Sequence, residues 1–223
     1  MAESMETDDR LVGSDDNDDD DDGPTKTVAE VLEDVEIAWL NEKSSPEILQ
    51  HKSDHVDCLL HHISCMEKNI EPLPKDDLRV TIHKLEIDRI RYLISSYLRT
   101  RLEKIEVHAI DIIKEEAKRN EEERYLTDGE LKFAHDWVLN METLLRSLIL
   151  QHLPGNFQEL ETDKMTIKPN LHSHVFIKAN KDVDGIIIPG LKDEELNITE
   201  GSQHLVQYKA IANLVKDGSV NLI

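Results

Sequence analysis

Between residues 76 and 118 the chain contains no glycine and no proline, and this uninterrupted stretch constrains the fold more than any other feature. Apolar residues fall at positions 78, 82, 85, 90, 93, 94, 97, 98, 102 and 105, a spacing that predicts a helix rather than a strand. Forty-odd residues at ~1.5 Å rise make a rod of roughly 60 Å, long for a helix of a globular protein. The apolar positions also wander around the helix axis, so more than one face has to be covered. A helix of this kind is shared among several neighbours, other chains among them.

Charge narrows the function classes. The net charge is −21, and residues 1–24 hold eleven Asp and Glu against one Arg, a net of −10. That field repels phosphate and argues against general affinity for DNA or an anionic membrane surface. Two cysteines, Cys58 and Cys65, are seven residues apart on one expected helix, ~10 Å between Cα atoms, too far for a disulfide. Free thiols fit a reducing compartment. The acidic N-terminal stretch is no secretory signal, and no apolar run approaches the ~20 residues of a membrane span. The Asn197-Ile198-Thr199 sequon has no meaning without secretion.

Local signals divide the chain. Residues 1–24, with seven Asp and one Asn in positions 15–22, read as a disordered acidic tail, either a docking segment or a solvated one. Thr27 and Glu30 form a capping-box pattern that opens a first helix ending near Lys43. A second helix is expected over residues 46–69, with a break near Ser53. The long helix follows Pro72 and Pro74. Thr127 and Glu130 repeat the capping box, and a fourth helix runs to His152, before Pro154 and Gly155. From residue 172 the segments become short and β-branched. Strands are expected at 174–178, 185–188, 196–199 and 205–208, then a short helix at 209–216 and a terminal strand at 220–223. The expected fold class is therefore mainly α. It comprises a helical domain over 25–153 with about four helices, one very long, a linker over 154–171, and a small β-rich domain over 172–223. Some fifty residues make a small independent core, so the last domain should lean on the helices or on another chain.

The chain carries little that suggests catalysis. His51, His55, Cys58, His62 and Cys65 form one stripe on the second helix, but His55 and Cys65 are ~15 Å apart along it, against zinc bonds of ~2.0–2.3 Å. A stripe of satisfied side chains at a packed face accounts for them, and no metal or cofactor is expected. No nucleophile elbow, phosphate-binding glycine loop or His-Glu-x-x-His motif is present. The basic residues Arg89, Arg91, Arg99, Arg101 and Lys104 suit phosphate, yet Glu86, Asp88, Glu103 and Glu106 are interleaved with them. Arg, Tyr and aliphatic residues mixed in this way also compose protein–protein interface cores.

Three stretches carry a resemblance. They are residues 89–106, then Ala38-Trp39-Leu40-Asn41-Glu42-Lys43 with Pro46-Glu47, and Gly201-Ser202-Gln203-His204-Leu205 leading to Val220-Asn221-Leu222-Ile223. In sequence order and over roughly residues 28–223 they resemble the SLD5 family, a subunit of the eukaryotic GINS complex. Ile48 stands where that family more often has Leu, and residues 1–24 fall outside the match. The resemblance implies a helical A domain followed by a small β-rich B domain, in a non-enzymatic scaffold of a nuclear heterotetramer. The implied partners are the PSF-one, PSF-two and PSF-three subunits, then the minichromosome maintenance ring and the Cdc-forty-five protein of the replicative helicase. No strong nucleic-acid binding by the lone chain and no membrane are implied. By position, the expected core and interface residues are Trp39, Arg89, Ile90, Arg91, Tyr92, Tyr97, Leu98, Arg99, Arg101, Leu222 and Ile223. The competing reading is an acidic chaperone or adaptor for histones or other basic proteins, which rests on residues 15–22.

Overall fold

The computed structural model describes residues 26–74, 77–120, 123–155, 158, 160, 164–187 and 195–223. The acidic tail expected over residues 1–24 lies outside the described residues, as do parts of the expected linker. Helix α1 spans Val28–Ser44. Its Thr27 hydroxyl accepts the Glu30 N–H while Glu30 accepts the Thr27 N–H at 2.9 Å, so two orphan amides of the first turn are satisfied. Helix α2 is Ser53–Ile70 and α3 is Leu78–Glu116, thirty-nine residues capped by Asp77. Helix α4, Asp128–Leu148, opens on the second capping box, Thr127 with Glu130.

Two expectations about helix bounds need correction. Residues 46–52 are not helical; the carbonyls of Glu47 and Leu49, which a helix would use internally, instead accept Lys104 and Arg101 of α3. The fourth helix does not reach His152, because Ile149 leaves helical geometry (φ −124°, ψ −58°) and a single 3₁₀ turn, Leu150–His152, follows. Helix α3 is itself interrupted at His108 (φ −114°, ψ 19°), where the ring Nδ1 sits 3.0 Å from the Ile167 carbonyl oxygen.

Two cores lie along α3. Ile87, Ile90, Leu93, Ile94 and Tyr97 pack with Val31 and Val35 of α1 and Val56, Leu59 and Ile63 of α2. Further along, Ile105 and Ile112 pack with Ile48, Leu126 and Ala134. One rod thus serves different neighbours in turn, which is why its apolar positions drift around the axis.

The C-terminal part contains β1 (His174–Ala179), β2 (Val183–Ile187), β3 (Glu195–Ile198), β4 (Gln203–Gln207), α5 (Tyr208–Lys216) and β5 (Val220–Leu222). Strands β4, β1 and β5 form an antiparallel sheet in that order, and β2 pairs with β3. Tyr208, expected in a strand, opens α5 instead and is buried with Ile211 and Val215, one face of an amphipathic helix lying on the sheet. Along β1 the side chains alternate, Val175, Ile177 and Ala179 inward and His174, Phe176 and Lys178 outward, as the two-residue period requires.

Candidate functional site

Where α1, α3 and the start of α4 meet, the chain buries a cluster of charge. Arg101 is 0% exposed. Its Nε donates to Glu130 Oε1 at 2.7 Å and Nη2 to Glu130 Oε2 at 2.9 Å, a two-bond fork. Nη2 also donates to the Tyr125 carbonyl at 2.8 Å, and Nη1 to the Leu49 carbonyl at 2.8 Å and to Glu42 Oε2 at 3.1 Å. All five guanidinium N–H groups therefore have an acceptor, the condition under which a buried cation is tolerated. One turn on, Lys104 Nζ donates to Glu42 Oε1 at 2.8 Å, to Ser45 Oγ at 2.7 Å, to the Glu47 carbonyl at 2.9 Å and to the Glu42 carbonyl. Glu42 Oε2 also accepts the Leu49 N–H at 3.3 Å. Glu130 works twice, since it is also the carboxylate of the α4 capping box.

Titration follows from this geometry. Burial alone would lower Arg101, but the hydrogen bonds and charge of Glu130, with the charge of Glu42, hold it above its ordinary value. Burial pushes Glu130 up, and the Arg101 fork outweighs it, so the carboxyl lies below the usual glutamate value. Burial also lowers Lys104, with Glu42 opposing. A carboxyl whose folded pKa is depressed contributes stability that is fully present above its unfolded pKa and lost as pH falls through the folded one. As pH falls from the unfolded glutamate value, about 4.3, through the lower folded one, the wild-type chain should therefore lose stability more steeply than a Glu130→Gln chain. Denaturant midpoints collected across that range measure the difference; parallel profiles would contradict it.

The outer surface has the opposite character. Beyond Ala134 no residue of α4 is buried, yet the helix carries Trp137, Leu144 and Leu148 at spacings of seven and four, all exposed, with Leu148 at 64%. Ile149 and Leu153 extend the strip. The first half of α3 repeats the situation with Leu78, Ile82, Leu85 and Tyr92, the last 67% exposed. On the outer face of the sheet, Phe176 lies opposite Leu205, and both are exposed with Ile223. Single exposed apolar residues are ordinary; aligned ones on a helix with nothing beneath them mark an interaction face.

The expected interface and core residues separate cleanly. Ile90, Tyr97, Arg101 and Leu222 are buried within the chain. Trp39 is half-buried, its ring edge-on to Tyr92 at 6.4 Å, with the Lys43 ammonium 5.5 Å from its centre. Tyr92, Leu98 and Ile223 are exposed, as are the three other arginines. Arg89 pairs with Glu86 at 2.9 Å and Arg91 with Glu67. Sequence reading missed the role of Glu42, Glu47 and Glu130 in the cluster. A signal existed: Glu42 is seven residues after Val35 on the apolar stripe of α1, and Arg101 stands midway between Tyr97 and Ile105 on that of α3. Opposite charges on two buried stripes announce a buried pair. Of the histidine–cysteine stripe expected on one helix, His51 instead lies before α2 in the non-helical segment, and His55, Cys58, His62 and Cys65 stay spread along the helix, with Cys65 Sγ 3.6 Å from His61 Nε2. Among the described residues, no three His, Cys, Asp or Glu side chains converge as metal ligands. No helix among them is long and apolar enough to cross a membrane.

Comparison with known proteins accords with this architecture. Residues 39–149 match the family described as the GINS complex protein helical bundle domain, and residues 169–223 match the DNA replication complex GINS protein SLD5 C-terminus. The DNA replication complex GINS protein SLD5 of Xenopus laevis is 40% identical over 213 residues, covering 93% of this chain and 96% of that protein. The human protein of the same name is 40% identical over 202 residues, 88% of this chain and 91% of its own length. The Saccharomyces cerevisiae protein is 26% identical, covering 83% of this chain and 78% of the relative. With a helical bundle and a C-terminal strand region matched in the same order, this chain belongs to the SLD5 family of DNA replication complex GINS proteins.

Proposed function

We propose that this chain is a non-catalytic scaffold subunit of a GINS complex acting in DNA replication in the nucleus. It assembles with the PSF-one, PSF-two and PSF-three subunits, and through them joins the minichromosome maintenance ring and the Cdc-forty-five protein. The division of labour is a helical domain over 25–153 and a strand-rich domain over 172–223, joined by residues 154–171. The observation that carries the reading is the unsupported apolar face of α4, with its counterpart on the first half of α3. A helix with exposed Trp137, Leu144 and Leu148 keeps those side chains in water only until another chain covers them, at a gain of about 25 cal/mol per Å² of apolar surface removed. Two such faces on separate elements suit a subunit with more than one neighbour.

Co-expression with the three PSF subunits, followed by size exclusion with light scattering, tests the proposal. The expected result is one four-chain particle of equal stoichiometry, with the lone chain self-associating through its open faces. A monodisperse monomer that ignores those partners would overturn it and would favour the acidic-chaperone reading.

A further inference from the structure

The segment between α1 and α2 has two sides. On one, the carbonyls of Glu47 and Leu49 are gripped by Lys104 and Arg101, as described above. On the other, the side chains of the same two residues meet the C-terminal part. Glu47 Oε1 accepts the Tyr208 hydroxyl at 3.0 Å and pairs with Lys216 Nζ at 3.0 Å. Leu49 packs on the core formed by the sheet and α5. Just before the segment, Glu42 faces Arg101 while its neighbour Asn41 faces the sheet. Asn41 Oδ1 accepts the Leu222 N–H at 2.7 Å in a buried bond.

That last bond is chemically specific. Strand β5 is the edge of its sheet, and its inward side pairs with β1 through Ile177 opposite Leu222. The Leu222 N–H points away from β1, where an open edge would leave it to water or to another strand. Buried against α1, the amide needs an acceptor, and an asparagine carbonyl supplies one without placing a bare charge there. Tyr208 fits the same logic: burial, then the charge of Glu47, raises its pKa, so it stays a neutral hydroxyl and donates. Lys216 also lies 5.4 Å from the centre of the Tyr125 ring, the residue whose carbonyl holds Arg101.

We infer that Asn41 and Glu47 form a latch that fixes the strand-rich part onto the helices of the same chain, with the buried Arg101–Lys104 cluster as its anchor. The C-terminal part is thus seated before any partner arrives. The apolar faces of α3, α4 and the outer sheet are presented in one fixed relative orientation, which lowers the ordering cost of association. The latch concerns the lone chain and holds whatever that chain assembles with.

Hydrogen exchange on the full-length chain, followed by mass spectrometry, tests this. In an Asn41→Ala/Glu47→Gln chain, the peptide carrying residues 219–223 and that carrying 45–52 are both expected to exchange about tenfold faster or more, by local opening. The β4 peptide, which pairs with β1 on the side away from β5, should keep the parent rate. Tyr208→Phe, which removes one hydroxyl and leaves the Lys216 pair, should give a smaller acceleration in the same two peptides, and it secures the test if the double variant folds poorly. Parent rates at 219–223 in both variants would overturn the latch. So would equal loosening of β4, which would make these contacts a folding requirement of the sheet alone. A protection of 219–223 that rises with protein concentration would place the contact between two copies and would also overturn it.

Discussion

Replacing Arg101 with alanine is expected to cost about 3–5 kcal/mol of folding free energy, a large part of the ~5–15 kcal/mol available to a typical domain. The loss comes less from the vanished bonds than from what is left behind. Glu42 is fully buried and Glu130 nearly so, and without the guanidinium Glu130 loses both bonds of its fork. The Leu49 and Tyr125 carbonyls lose their donors as well. Arg101→Lys keeps the charge but cannot span five acceptors, so a smaller loss of about 2–3 kcal/mol is expected. The diagnostic variant removes the fork as a whole: Arg101→Met with Glu130→Gln should be more stable than Arg101→Ala alone, because Glu130 is then neutral while Glu42 keeps its Lys104 partner at 2.8 Å. Denaturant midpoints rank the three. Arg101→Ala at wild-type stability, or the double variant below the single one, would show that the cluster does not carry this charge.

The second large effect falls on assembly and spares the fold. Leu144 and Leu148 are exposed on α4 and touch neither helical core. Changing both to Asp should leave the lone chain within about 0.5 kcal/mol of wild type. It should weaken capture of the proposed PSF partners at least about a hundredfold, ~2.8 kcal/mol, because two carboxylates would be driven into an apolar contact. A Lys118→Ala chain is the matched control. Lys118 is exposed, stands outside the expected interface residues and pairs with Glu115 three positions back, and an exposed pair of that kind is worth about 0–1 kcal/mol.

Much of this fold was legible in the sequence because its signals are local. The capping boxes at Thr27 and Thr127 opened α1 and α4 where expected, and the short β-branched segment at 174–178 lies within β1. What stayed hidden depends on groups far away in the chain. Residues 46–52 fail to be helix because α3 needs their carbonyls, and Glu42 meets Arg101 across 59 positions. Arg101 illustrates the limit. Composition groups it with Arg89, Arg91 and Arg99 as one basic cluster, whereas the helix period puts it alone on the inward stripe. Tyr92 and Tyr97 divide in the same way, one outward and one inward, and only packing separates them. The latch was illegible as well: nothing local to Asn41 says that it serves the N–H of Leu222, 181 residues on.

Hydroxyl-radical footprinting of Trp137, Leu144 and Leu148, compared between the lone chain and the co-expressed particle, reads out whether another chain covers α4. Strong labelling of all three is expected in the lone chain and marked protection in the assembly, with the buried Ile90 and Tyr97 weakly labelled in both. Equal labelling of α4 in the two states would show that this face is not where the partners bind.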